Sequence, residues 1–149
     1  MAPPATPQAL ASAEQVDQTL LAERDRAVLL RFGRRADPTT AAADVLLHEI
    51  AHEVWLYCMI YLVDIDDVPE FTATHELYDP CTVIVFYRNK PMPIDVGYGP
   101  ESKVTWPLPE SSTLADAIAN ACEGESEAHG GGRRGLLSAV QGLLQRIIP

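Results

Sequence analysis

Three short apolar runs, at residues 27–32, 59–65 and 82–87, constrain this chain more than any other feature, because each is nearly continuous and helical patterns separate them. A sheet with one wet face alternates apolar and polar positions, so unbroken runs belong to strands covered on both faces. The chain is therefore expected to be α/β, with a central mixed sheet flanked by helices. Only Arg31 interrupts the first run.

The intervening segments read as helices. Val16, Leu20 and Leu21 give the first, from Glu14 onward. Ala43, Leu46, Leu47, Ile50 and Val54 give the second, with Thr39 or Thr40 as its cap. Asp67 followed by Glu70 forms a capping box, and Pro69 fits the first turn, so a short helix is expected over residues 68–77. Pro91 and Pro93 lack backbone donors, which assigns residues 92–96 to an antiparallel edge strand. The last domain helix starts at Ser111 or Ser112, buries Leu114, Ile118, Ala121 and Cys122, and ends at Gly124.

Composition sets the boundaries. Residues 1–13 carry no charge and three prolines, which predicts a disordered arm before a domain at residues 14–125. Residues 126–149 read as a glycine-rich joint, Gly130 to Gly132, and an amphipathic helix through Leu136, Leu137, Val140, Leu143, Leu144, Ile147 and Ile148. That helix is expected to dock on the chain's own domain, or in a partner's groove. A net charge of -10 argues against broad phosphate-backbone binding, leaving RNA contact at most local. Cys58, Cys81 and Cys122 form no CxxC pair, and the chain shows neither a secretory leader nor a membrane span, so a reducing intracellular setting is expected.

His48, Glu49 and His52 spell a literal HExxH, which on a helix offers two zinc ligands and a general base. At about 100° per residue, however, both histidines fall opposite the apolar stripe, towards solvent, and no third ligand is assignable. No metal or catalytic site is expected there. The acids Asp64, Asp66, Asp67 and Glu70 lack the spaced glycine loop of a calcium hand, so strand-end solvation and capping account for them. Arg34 and Arg35 in one loop, and Arg88 and Lys90 in a turn, are candidates for contact with a phosphate or an acidic partner, with ordinary solvated charge the competing reading.

Six segments carry a resemblance: QVDQ at 15–18, RFG at 31–33, DPT at 37–39, YLVDI at 61–65, ELYDPCTV at 76–83 and RNK at 88–90. In this order they resemble the small thioredoxin-like proteins of the spliceosomal U5 particle, the DIM/DIB family of the thioredoxin superfamily. The resemblance implies a thioredoxin-like fold. It also implies a nuclear, non-catalytic component of the U5 snRNP and the U4/U6.U5 tri-snRNP, contacting a large U5 scaffold protein and other tri-snRNP proteins, without cofactor, membrane or small-molecule substrate. In the family frame Asp37 and Thr40 stand where oxidoreductases carry two sulfurs, and Arg31 stands where they bury an acid. Some relatives keep a cysteine at the position of Thr40, facing that of Cys81. The family's basic, tyrosine-bearing tail is not recognisable here. The candidate partner surface is Arg34, Arg35, Asp37, Pro80, Cys81, Arg88, Asn89 and Lys90, and the isomer of the bond before Pro80 stays open. The competing function is single-thiol redox chemistry or redox sensing at Cys81.

Overall fold

The computed structural model describes residues 6–128. The three apolar runs become β2 (Ala27–Gly33), β3 (Cys58–Asp64) and β4 (Cys81–Tyr87). β2 lies between the other two, parallel to β3 and antiparallel to β4, so the sheet is mixed. Both faces are covered, and neighbouring residues go to opposite cores. Leu29, Val83 and Val85 face α2 (Pro38–Val54) and α4 (Ser111–Ala128), meeting Leu47, Ile50, Leu114 and Ile118. Val28, Leu30, Phe32, Ile84 and Phe86 face α1 (Ala13–Ala22) and α3 (Pro69–His75), meeting Val16, Leu20 and Val68. Each large aliphatic or Phe side chain so buried contributes about 1.5–3 kcal/mol before entropy is counted.

Several local expectations need correction. Residues 8–10, assigned by composition to a disordered arm, form β1 (Gln8–Leu10), which extends the sheet in parallel beside Tyr61, Leu62 and Val63. Backbone pairing at an edge needs little side-chain burial, which is why composition misses it. Ser12 then caps α1, and Leu21 lies outside its buried face. Neither Thr39 nor Thr40 caps α2; Asp37 does, accepting from the Thr39 N–H at 2.8 Å, with Pro38 in the first turn. Asp67 does not cap α3, because residues Ile65–Asp67 form a 3-10 turn and leave Val68 at the cap position with no side-chain bond.

The edge strand is shorter than expected. β5 is only Lys90–Pro91, against Phe86 and Tyr87, and β8 (Val104–Thr105) takes the rest of that edge against Thr82 and Val83. Ile94–Asp95 (β6) leaves the sheet and pairs with Pro100–Glu101 (β7). Proline at 93 withholds a ladder donor between the two, which accounts for the break. α4 does not stop at Gly124 but runs to Ala128. The tail helix read at residues 136–148 lies outside the described residues. Among the described residues no helix is long and apolar enough to cross a membrane.

Candidate interaction surface

The surface begins where β2 ends. Gly33 is opposite Cys81, so the loop after β2 and the start of β4 meet at one end of the sheet, beside the N-terminus of α2. Gly33 is required by proximity: a Cβ there would stand 2.5 Å from Thr40 Oγ1. Thr40 is thus wedged under the first turn of α2, buried, with its hydroxyl unpartnered. Cys81 is also fully buried, and burial raises its thiol pKa to about 11, against a smaller lowering by Arg31. Asp79–Pro80 precedes it as an exposed shoulder, and its peptide bond is trans; the cis bond among the described residues is Trp106–Pro107.

Arg31 organises this end from beneath. Only 4% exposed, it donates from Nε and Nη2 to the Asp44 carboxylate at 2.7 and 3.0 Å, and from Nη1 to the Val63 carbonyl at 3.0 Å. One side chain therefore ties β2 to α2 and to β3. Asp44 escaped the sequence reading, although a lone arginine inside an apolar strand requires a carboxylate on whatever packs over it. The signal was Asp44 on the flank of the α2 stripe.

The arginines of the loop are not free cations. Arg34 pairs with Asp66 at 3.4 Å, and Arg35 with Asp67 at 2.7 Å and Asp64 at 3.6 Å, while the Arg35 backbone N–H also donates to Asp64. Burial pushes the Asp64 carboxyl up, but the Asp66 and Arg35 N–H groups and the Arg35 charge together hold it below the usual range. The acidic cluster and the first basic pair thus form one patch in which Asp64, Asp66 and Asp67 cancel the charge of Arg34 and Arg35 and leave carboxylate in excess.

Arg88, Asn89 and Lys90 do not join it. They form the hairpin at the far end of β4, seven residues away, or roughly 20 Å at strand spacing. Arg88 and Asn89 both have positive φ, 50 and 68 degrees, as a tight hairpin turn demands. The Arg88 guanidinium lies 5.4 Å from the Tyr87 ring centroid and donates to the Arg24 carbonyl. The eight expected surface residues therefore fall at two ends of the sheet, Arg34, Arg35, Asp37 and Pro80 at one and Arg88, Asn89 and Lys90 at the other, while Cys81, expected on the first surface, lies buried beneath it because β4 starts inside the core.

His48 and His52 are exposed on α2, as the helical phase predicts, and His48 Nδ1 lies 2.8 Å from the Asp44 carbonyl. Among the described residues no group of three or more His, Cys, Asp or Glu is arranged to hold a metal ion. Cys58 and Cys122 lie near Tyr57, at the end of the sheet away from Cys81.

Residues 7–132 match the family described as Mitosis protein DIM1. This chain belongs to the DIM1 family. It is 43% identical to the mitosis protein dim1 of Schizosaccharomyces pombe, over 81% of this chain and 85% of the relative. It is 40% identical to the spliceosomal protein DIB1 of Saccharomyces cerevisiae, over 69% and 72% of the two chains. A thioredoxin-like protein 4A homologue of Dictyostelium discoideum is 37% identical, over 74% and 69%. Among solved structures, a mutant thioredoxin from Halobacterium salinarum superposes with a TM-score of 0.64 at 15% identity, covering 83% of this chain and 96% of that one. At that identity the likeness defines the thioredoxin fold alone. In this DIM1-family chain the start of α2 reads Asp37-Pro38-Thr39-Thr40, with a carboxylate rather than a sulfur accepting from the Thr39 N–H.

Proposed function

We propose that this chain acts in pre-mRNA splicing as a protein-interaction scaffold of the U5 snRNP and the U4/U6.U5 tri-snRNP in the nucleus, and that it performs no catalysis. The observation that carries the reading is its kinship with the spliceosomal protein DIB1 of Saccharomyces cerevisiae. The geometry agrees. A thioredoxin-type reaction needs an accessible thiolate at a helix N-terminus with a resolving thiol beside it. Here Asp37 occupies that helix cap, and Cys81 is buried with a thiol held protonated at neutral pH. The same burial counts against single-thiol redox sensing. The ties from Arg31 to Asp44 and from Arg35 to Asp67 support the end of the sheet at Arg34, Arg35, Asp37 and Pro80 as a surface for a large protein partner.

Affinity purification of the tagged chain from nuclear extract, with sequencing of RNA and identification of proteins, tests the reading. U5 RNA and U5 proteins are expected in the eluate, and the absence of both sinks it. Charge reversal at Arg34 and Arg35, set against reversal at Arg88 and Lys90, then tells which end of the sheet carries the partner.

A further inference from the structure

On the face formed by β6–β7 and the segment leading into α4, a cleft of about 410 Å3 opens between Tyr98, Glu101, Trp106, Pro107, Leu108 and Pro109. Its aromatic rings face water: Tyr98 is 89% and Trp106 37% exposed. Aromatic rings lining a mainly apolar cleft are the usual make-up of a binding site. Both walls are held in place. Tyr98 sits between Gly97 and Gly99, whose N–H groups both donate to the Asp95 carboxylate, at 2.8 and 3.1 Å. The Trp106 N–H donates to the Cys81 carbonyl at 3.0 Å, and Val104, opposite Val83, joins the cleft to the core. The backbone carrying Tyr98 is therefore tied before any partner binds, which lowers the ordering cost that a small surface must meet.

We propose that this cleft docks an extended, proline-rich protein segment bearing an arginine or lysine. Its lining combines the Tyr98 and Trp106 rings, two prolines and aliphatic side chains with a few polar groups, and its strands β7 and β8 are two residues each, short for an occupant that needs ladder partners. A polyproline II segment has a fully solvated backbone with no internal hydrogen bonds, and its flat proline faces stack on Tyr and Trp rings. The charge of the occupant follows from the rim. Glu101 lines the cleft and Glu110 lies exposed just past Pro109; neither is in an ion pair among the described residues. An anionic rim on a chain of net charge -10 selects a cationic end on the peptide. The cleft adjoins the Cys81 end of the sheet through Trp106 but shares no lining residue with Arg34, Arg35, Asp37 or Pro80, and it stands or falls independently of the splicing reading.

The test uses the full chain and a fluorescein-labelled oligoproline peptide ending in a pair of arginines, read by fluorescence anisotropy. Saturable binding is expected, weakened about tenfold or more by Tyr98→Ala, as for an aromatic anchor at an interface. Trp106→Ala should act likewise, and Glu101→Lys should weaken binding several-fold at low salt. Because Tyr98 is almost wholly exposed, its variant should melt with the parent, so a loss of binding there is not a loss of fold. Counterparts with glycine for proline, or glutamate for arginine, should bind more weakly. The proposal is overturned by absence of saturable binding at millimolar peptide, by binding indifferent to Tyr98→Ala, or by equal binding of the glycine counterpart. Sedimentation showing a dimer that Tyr98→Ala dissolves also overturns it, since the cleft would then be filled by a second copy.

Discussion

Replacing Asp44 by alanine isolates the interaction on which the candidate surface rests. Arg31 is buried and directs three N–H donors inward, two to Asp44 and one to the Val63 carbonyl. Truncating Asp44 leaves a buried cation with a single backbone acceptor. Breaking a fully buried ion pair by removing one partner costs about 3–5 kcal/mol. The Asp44 side chain keeps 25% exposure, so water reaches the vacated site, and the expected loss falls to about 2–3 kcal/mol. At roughly 3–5 °C per kcal/mol for a domain of this size, the melting temperature should fall by about 6–15 °C. Urea and thermal unfolding at neutral pH, followed by circular dichroism, measure it. Asp44→Asn keeps one acceptor and should cost about half as much. Asp66→Ala removes the exposed partner of Arg34, whose side chains are 57% and 70% exposed, and should cost less than about 1 kcal/mol. If Asp44→Ala proves no more damaging than Asp66→Ala, Arg31 is satisfied by water and the anchoring argument fails.

Gly33→Ala should destabilise by about 1–3 kcal/mol through the clash with Thr40, and adding Thr40→Ala should recover part of the loss in the same unfolding assay. Glu76, in the left-handed conformation at the end of α3 with φ of 53 degrees, should gain about 0.5–1 kcal/mol on replacement by glycine, read as a higher urea midpoint. The Cys81 thiol, raised by burial from 9.0 to about 11, binds its proton more tightly in the folded chain than in the unfolded one. Its contribution to stability is therefore complete below pH 9 and lost as pH rises towards 11, and Cys81→Ala should flatten that part of a stability–pH curve.

The fold was legible because its strongest signals are local. Unbroken apolar runs specify strands covered on both faces, and the alternation of Leu29 and Leu30 between the two cores is that rule made visible. Segments whose structure depends on a distant partner were not legible. Gln8–Leu10 has no strand signature of its own and is ordered by pairing with Tyr61–Val63, about fifty residues on. Asp67 looked like a cap because its neighbours in sequence allow one, yet Arg35, brought alongside by the β2–β3 pairing, holds it instead.

The same distinction decides what the eight candidate surface residues amount to. Sequence groups Arg34, Arg35, Arg88 and Lys90 as unpaired loop cations, and on that basis either pair is an equal claimant for an acidic partner or a phosphate. The register removes the equality. Antiparallel pairing of β2 with β4 sends Cys81 to Gly33 and Phe86 to Val28, so the two arginine loops lie at opposite ends. The parallel β2–β3 pairing then delivers Asp64 and the turn after it to Arg34 and Arg35, cancelling their charge. At the hairpin, Arg88 rests on Tyr87 and reaches the Arg24 carbonyl, an acceptor that carries no formal charge. An acidic partner or a phosphate should therefore engage the Arg88–Lys90 hairpin, because the Asp37–Pro80 end offers it no uncompensated arginine. Binding of an acidic partner should then weaken as salt rises and on charge reversal at Arg88 and Lys90, and an acidic partner that responds only to reversal at Arg34 and Arg35 refutes the assignment.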